Sequence, residues 1–445
     1  MKKTILIALS IALALTFTTC KDDDGGGSGV NGAPSITTTT LQNGEVGKVL
    51  IRLLSATGDT PITWSITTGT LPIGLTISTA GIISGTPTTA GTSNFTVKAT
   101  NAKGNNTKAL SIVIDPSGSG GGGNNWTWTA VSDSKFGSSD IFGIAYGNNR
   151  FVTVGENGKM AYSANGTSWT AVGNTTIWQY TFGTSDINAI AYGNNRFVAG
   201  GGRGKMAYSN SGQSWTAVSD STFGANDISA IAYSAIAYGN GRFVAGDWDG
   251  KMAYSDDNGE TWTAVTDSTF GTSGINGIAY GIADDESVGR FVAVGYQGKM
   301  AYSDDGETWT AVSNTTFGTF FILGIAYGIA DGASVGRFVA VGSGGKMAYS
   351  DDGVTWTAVS NSTIWQYTDS GLTYTANIFG IAYGNNRFVA VGYGGKMAYS
   401  DDNGVTWTAV ANSTFGTSSR IEGIAYGNNR FVAVGDVGLM AYADW

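Results

Sequence analysis

Residues 141–163 read Ile141-Phe142-Gly143-Ile144-Ala145-Tyr146-Gly147-Asn148-Asn149-Arg150-Phe151-Val152-Thr153-Val154-Gly155-Glu156-Asn157-Gly158-Lys159-Met160-Ala161-Tyr162-Ser163, and Trp169-Thr170-Ala171-Val172 follows shortly after. The stretch holds short apolar runs joined by Gly- and Asn-rich pieces of hairpin length, the pattern of antiparallel neighbours. Predicted strands are 141–146, 150–154, 159–163 and 169–172. Both faces of each run are apolar or small, as expected of a sheet packed between two others. The same phrases, W-T-A-V, I-x-G-I-A-Y-G, R-F-V-A-V-G and G-K-M-A-Y-S, recur seven times, W-T-A-V at spacings of 41 to 51 residues, the range of propeller blades. The series is out of phase at its ends. It opens on an orphan Trp128-Thr129-Ala130-Val131 and closes on an orphan Gly438-Leu439-Met440-Ala441-Tyr442. Joined, these make one complete unit, which a ring needs and an open solenoid does not. The sequence therefore predicts a seven-bladed β-propeller closed by pairing of its N- and C-terminal strands, hiding both sheet edges.

Working outward, the 445 residues carry a net charge of −9, no histidine and one cysteine, Cys20. The acidic balance disfavours nucleic acid and anionic membrane surfaces as partners. Lack of histidine removes the commonest general base and zinc ligand. Lack of a second cysteine removes disulfides. No metal or cofactor is implied. Lys2 and Lys3 precede an apolar run from Ile5 to Phe17 that ends at Thr18-Thr19-Cys20, the layout of a signal peptide. The boundary resembles a bacterial lipoprotein lipobox, with Phe17 where Leu is usual and Thr19 where Gly, Ala or Ser is usual. The resemblance implies a lipid on Cys20 and an outer-membrane lipoprotein, surface-exposed or periplasmic. The expected organisation is a signal peptide at 1–19, a tether at 20–32, a sandwich domain at 33–115, a Gly/Ser linker at 116–125 and the propeller at 126–445.

In the sandwich region, Ile62-Thr63-Trp64-Ser65-Ile66 and Phe95-Thr96-Val97-Lys98-Ala99 alternate as half-buried strands do. About seven strands in roughly 80 residues suit an immunoglobulin-like sandwich. The run Leu71-Pro72-Ile73-Gly74-Leu75, then Gly81-Ile82-Ile83-Ser84-Gly85-Thr86-Pro87, resembles a cadherin-like Ig domain family of bacterial surface proteins. Trp64 is expected to fill its core, and the domain to act as a spacer.

Between the third and fourth strands stands Ser255-Asp256-Asp257-Asn258-Gly259-Glu260-Thr261-Trp262, with near copies at 303–309, 350–356 and 400–407. These resemble the Asp-box, or BNR, repeat of sialidase-like propellers and of the photosystem II stability-factor type. A structural role follows for Asp256, Gly259, Trp262, Asp304, Gly306, Trp309, Asp351, Gly353, Trp356, Asp401, Gly404 and Trp407. Asp or Asn would cap the turn, Gly would take positive φ and Trp would anchor it. A calcium loop is the alternative, but the acidic spacing is not that of an EF-hand. Sialidases also carry a Phe/Tyr-Arg-Ile-Pro motif, absent here, and all five prolines lie at or before Pro116. Arg150, Arg196, Arg242, Arg290, Arg337, Arg387 and Arg430 all sit in the repeated R-F-V context, which favours a structural role; within the repeat region only Arg203 and Arg420 depart from it. Unrepeated acids, Glu156, Asp247, Asp249, Glu422 and Asp436, could supply a catalytic carboxylate pair.

Up-down strand order puts the hairpins between strands two and three on one face with the blade-to-blade connections. These hairpins vary, and two connections carry insertions, so Trp178, Tyr180, Trp248, Tyr296, Trp365, Tyr367, Tyr374 and Tyr393 are expected to gather on one rim as a ligand-binding set. One strand-one position varies too: Phe142, Asn188, Ser229, Asn276, Leu323, Phe379 and Glu422. Ser229-Ala230-Ile231-Ala232-Tyr233 and Ser234-Ala235-Ile236-Ala237-Tyr238 form a duplication expected to bulge one inner strand or to move into its loop. The reading is a monomeric, lipid-anchored envelope protein of adhesion type that recognises a glycan or protein. Its rivals are a sialidase-like glycoside-processing enzyme and a periplasmic assembly factor.

Overall fold

A computed structural model of the chain describes residues 32–38, 41, 43–47, 50–59, 61–115, 127–173, 176–180, 183–224, 236–239, 241–282, 289–329, 336–360, 363–369 and 372–444. Residues 1–31, which hold the expected signal peptide, Cys20 and most of the expected tether, residues 116–125 of the expected linker, and the first copy of the duplication lie outside them. No described helix is long and apolar enough to cross a membrane.

The first unit is a sandwich. One sheet orders Gly44–Glu45, Gly104–Asp115, Gly91–Asn101 and Thr63–Gly69; the other orders Leu50–Leu53, Ile82–Gly85 and Leu75–Ile77. Gly91–Asn101 and Gly104–Asp115 form a long hairpin in which Asn101 pairs with Gly104. Alternation puts Val97, Ala99, Ile112 and Ile114 inside with Ile83 and Trp64. Trp64 is 7 % exposed and takes the core position expected of it.

The rest is seven four-stranded antiparallel sheets. Blade 1 runs Ile141–Gly147, Arg150–Gly155, Met160–Ser163 and Thr170–Ala171 from the inside outward. Blades 2 to 7 begin with inner strands Ile187–Gly193, Ile236–Gly239, Ile275–Ile282, Ile322–Gly328, Ile378–Gly384 and Ile421–Gly427. The turn after the inner strand of blade 1 sets Asn148 at φ 48° and Asn149 at φ 55°. That left-handed pair matches the twist of a tight hairpin, and asparagine tolerates it. The last blade takes its outer strand from the start of the domain. Thr129 pairs with Tyr442 and Ala130 with Ala441, and the Val131 N–H donates to the Met440 carbonyl at 2.8 Å. The out-of-phase ends predicted this closure.

Two repeated contacts hold blade to blade. A Cβ on Gly147 would lie 2.0 Å from the Tyr192 ring of the next blade. Gly281 with Tyr327, Gly328 with Tyr383, Gly384 with Tyr426, and Gly427 with Tyr146 repeat the socket, the last one across the closure. Tyr-Gly ends the inner strand because each tyrosine needs the preceding blade to lack a side chain there. The second contact is the arginine of R-F-V. Arg242 Nε donates to Asp256 Oδ1 at 2.6 Å, its Nη1 reaches the Asp305 carbonyl of the next blade at 2.7 Å, and its guanidinium lies 4.0 Å from the Tyr254 ring centre. Arg290 and Arg337 do the same, and Arg430 crosses the closure to the Asn165 carbonyl. These arginines are inter-blade staples.

The Asp-Asp turn divides its labour. Ser255 Oγ donates to Asp257 Oδ1 at 2.9 Å and accepts the Gly259 N–H at 2.8 Å; Asp257 Oδ1 also accepts the Thr261 N–H at 2.8 Å, and the Trp262 indole donates to the Gly259 carbonyl at 3.3 Å. So Asp257, and likewise Asp305, Asp352 and Asp402, cap the turn. This corrects the expectation for Asp256, Asp304, Asp351 and Asp401, which pair instead with the staple arginines. Burial alone would raise the Asp257 carboxyl, but hydrogen bonds from Thr261 and Ser255 outweigh it and hold it below the ordinary value.

Candidate functional site: the variable rim of the propeller

The turn between strands two and three is a tight one whose middle residue is left-handed: Asn157 at φ 57°, Arg203 at 60°, Gln297 at 55° and Val437 at 45°. It meets the lead-in to the next blade, since the Asn157 N–H donates to Asp186 Oδ1 at 2.8 Å. The opposite end of each blade carries the staples and the Asp-Asp turns, with Asn258 Nδ2 reaching the Asn194 carbonyl at 3.3 Å. The faces therefore divide as strand order predicted.

Two expected ligand residues are corrected. Trp178 and Trp365 are 0 % exposed and pack in inter-blade cores with Val154, Met160 and Ile187, and with Val341, Met347 and Ile378. No ligand can stack on either ring. Their seat is the one held by Phe136, Phe223, Phe270 and Phe317 in other blades, all 2 % exposed or less. The signal was in the sequence: Thr-Ile-Trp at 176–178 and 363–365 aligns with Ser-Thr-Phe at 221–223 and 268–270. The repeated lysine supports that alignment. Lys299 Nζ donates to the Phe270 carbonyl at 2.7 Å and Lys205 Nζ to the Ile177 carbonyl at 3.1 Å.

The other aromatics stay at the surface, in two groups. Trp248 meets Tyr296 edge-on with centroids 4.7 Å apart, and Tyr296 meets Phe321 at 4.5 Å and 30°. Phe320 and Phe321 are 45 % and 43 % exposed. The sequence reading missed this pair, although Thr319-Phe320-Phe321 interrupts the repeat. In the second group, Tyr367 stacks on Tyr374 at 5.6 Å and contacts Tyr393 at 5.5 Å. Tyr374 sits on a hairpin, Gln366–Asp369 with Leu372–Thr375, that only blade 6 carries at this length among the described residues. The Tyr180 side chain lies outside what is described.

Polar residues fall into two places. At blades 7 and 1, Arg420 Nη2 pairs with Glu422 Oε1 at 2.9 Å, the Arg420 N–H donates to Asp436 Oδ2 at 2.9 Å, and the Val437 N–H donates to Asp140 Oδ1 at 2.7 Å. Glu422 occupies the variable inner-strand position, where six blades have a β-bulge and the corresponding position of blade 3 lies outside the described residues. Burial pushes its carboxyl up to about 7; Arg420 opposes this, while Asp140 and Asp436 add to it. The ion pair does not offset the burial because Arg420 is 37 % exposed and its charge is shared with water. The second place is blade 3. Six blades end strand two in a glycine, Gly155 for example, where a Cβ would stand 2.1 Å from the Asp140 carbonyl. Blade 3 has Asp247 there, 0 % exposed. Its Oδ1 accepts the Asp249 and Lys251 N–H groups at 2.9 and 2.7 Å, and burial raises its carboxyl. The described part of the blade 3 inner strand begins at Ile236, in the second copy of the duplication, paired to Ala245; residues 225–235 lie outside the described residues. Of the five unrepeated acids, Glu422 and Asp436 thus converge with Asp140 around Arg420, and Glu156 Oε2 accepts the Asp140 N–H at 3.2 Å; Asp247 and Asp249 stand apart. Among the described residues, no cluster of acids is placed to hold a metal ion.

No curated protein matches the sequence. Among solved structures, the fold is similar to one described as "YCF48 bound to D1 peptide", at 17 % identity, covering 72 % of this chain and 96 % of that one with a TM-score of 0.50. It is also similar to the GH74 xyloglucanase from Xanthomonas campestris, at 15 % identity, covering 71 % of this chain and 53 % of that one with a TM-score of 0.51. At such identities the likeness is one of fold. Residues 31–115 match the Putative Ig domain family. Residues 178–434, more than half of the chain, match the family described as DUF6242 beta propeller domain. An Ig-like domain followed by a ring of repeat-built blades is thus seen both in the fold and in the family matches, and the chain belongs to the DUF6242 beta propeller family.

Proposed function

We propose that this is a lipid-anchored binding protein of the bacterial cell envelope, of adhesion type, whose BNR-like propeller captures a glycan or protein ligand on its variable rim. Cys20 carries the lipid, the sandwich is a spacer, and the rim is the working surface. One observation carries the reading. The repeated Arg and Tyr-Gly residues are taken up by blade-to-blade contacts and the Asp-Asp side chains by the arginine and turn of their own blade, whereas aromatics that break the repeat stay half-buried or exposed on one rim. Large rings that keep part of their surface in solvent suit recognition. A propeller of similar fold has been solved with a peptide bound, which is consistent with a rim that holds ligands.

The test has two arms. A fatty-acid probe should label the chain in cells and fail to label Cys20→Ala, and protease added outside intact cells should release the propeller. Capture of envelope or extracellular ligands by the full chain should weaken in a Tyr296→Ala/Tyr393→Ala double variant. Absence of label, together with undiminished capture by the double variant, would refute the proposal.

A further inference from the structure

The two aromatic groups are ends of one arc. Phe321 is followed along the rim by the blade 5 turn, whose Ser343 N–H donates to the Phe321 carbonyl at 2.9 Å. The next residue, Gly344, donates its N–H to Asn377 Oδ1 at 3.1 Å, and the Asn377 carbonyl accepts the Tyr393 N–H at 2.9 Å. Trp248, Tyr296 and Phe321 on one side and Tyr393, Tyr367 and Tyr374 on the other therefore lie along the rim of blades 3 to 6, joined by the ring-free Ser343-Gly344 turn of blade 5. The same rim in blades 7, 1 and 2 carries Asp436-Val437, Glu156-Asn157 and Gly202-Arg203 and no ring at those turns.

The chemistry of the arc selects its occupant. Two cations already lie over its flanking rings, Lys346 Nζ at 4.5 Å from the Phe320 centroid and Arg420 at 5.0 Å from that of Phe379. A cationic ligand would meet like charge. An anionic one would meet Asp249 at one end, Asp436 at the other and a chain of net charge −9. A lipid or aliphatic peptide would cover the hydroxyls of Tyr374 and Tyr393 and offer them no hydrogen-bond partner. What fits is neutral, presents C–H faces to stack on rings, and carries hydroxyls for tyrosine tips and for the Gln297 amide. An arc across several blades calls for a chain of such units.

We propose that the arc from Trp248 to Tyr374 is a track for a neutral, linear oligosaccharide, each sugar ring packing on an aromatic side chain. The proposal rests on the reading above that the rim is the binding face. The full chain, purified in detergent, is titrated with neutral gluco-, manno- and xylo-oligosaccharides of increasing length. Affinity should rise with length and then level off once the track is filled. Tyr296→Ala and Tyr393→Ala should each weaken the longest ligand about tenfold, whereas Tyr296→Phe, which keeps the ring, should retain most of the affinity. Failure of every neutral oligosaccharide to bind overturns the proposal, as does affinity that ignores length. Binding of sugar at wild-type strength by the double alanine variant overturns it too. A protein ligand lost by that variant, with no sugar bound by the parent chain, removes the glycan track and leaves the binding rim standing. Should the alanine variants unfold, the length dependence in the phenylalanine variants decides.

Discussion

The two faces of the propeller are made by the same repeats, yet they differ in kind. On the staple face almost every blade places Arg, Tyr and Asp in the same geometry, and an arginine of one blade bonds a carbonyl of the next. On the rim the turn residues change from blade to blade. A residue that must contact its own copy's neighbour around a ring is constrained in every blade at once. A residue that points away from that joint is free to vary. The face that cannot vary keeps the ring closed, and the face that can is available for recognition.

The strongest way to break that contrast is at Trp365, which lies among rim loops but fills a repeated seat. Trp365→Ala should cost about 3–5 kcal/mol, and Trp178→Ala a similar amount, because a fully buried ring leaves a cavity between blades. Trp365→Phe, which restores the residue of the other blades, should cost far less. Thermal unfolding of both variants measures this, and an unchanged melting temperature in the alanine variants would put the indoles back on the working surface.

Next in size is Glu422, a variable residue inside the framework. Its folded-state value of about 7 lies above the ordinary 4.5. Its stabilising contribution is therefore fully present below about pH 4.5 and is lost as pH rises through about 7. Glu422→Gln should remove that loss, so that the variant gains on the parent by up to about 3 kcal/mol between acid and mildly alkaline pH. Denaturant midpoints across the range test it; parallel curves for the two proteins would mean that the carboxyl stays ionised beside Arg420.

Smaller effects sharpen the contrast. Tyr296→Ala should change stability by less than about 1 kcal/mol, since it loses ring contacts at the surface, and Tyr393→Ala should cost more because its half-buried ring also packs against the core around Trp365; a drop in melting temperature as large for Tyr296→Ala would make it a framework residue. Blade 1 offers a gain. Ala164 stands where other blades have Asp or Asn, and Arg150 Nε has no partner among the described residues. Ala164→Asp should complete that staple and add about 0.5 kcal/mol, the scale of a largely exposed ion pair. A loss of stability there would show that the staple geometry differs at blade 1.

What was legible beforehand followed from repetition. Six complete copies and two complementary part-units at the ends require a ring, because only a ring brings the missing neighbours together. The Trp64 core and the structural reading of the repeated arginines came from pattern as well. The indoles misled because Trp breaks the repeat to the eye, while its seat is set by depth between blades, and depth has no sequence period. The arc through Phe320 and Phe321 was missed for a related reason: it is assembled from a turn in one blade and a lead-in to another.

By itself the sequence determined the number of blades, the closing strand and the division into framework and variable positions, since each follows from periodicity along the chain. Only the tertiary structure decided which of two adjacent aspartates caps a turn, which aromatics reach solvent, and that Arg420 pairs with the buried Glu422 while Asp436 and Asp140 bond the backbone beside them. Those outcomes depend on distances and burial between residues far apart in sequence, and the chain order alone does not encode them in any local pattern.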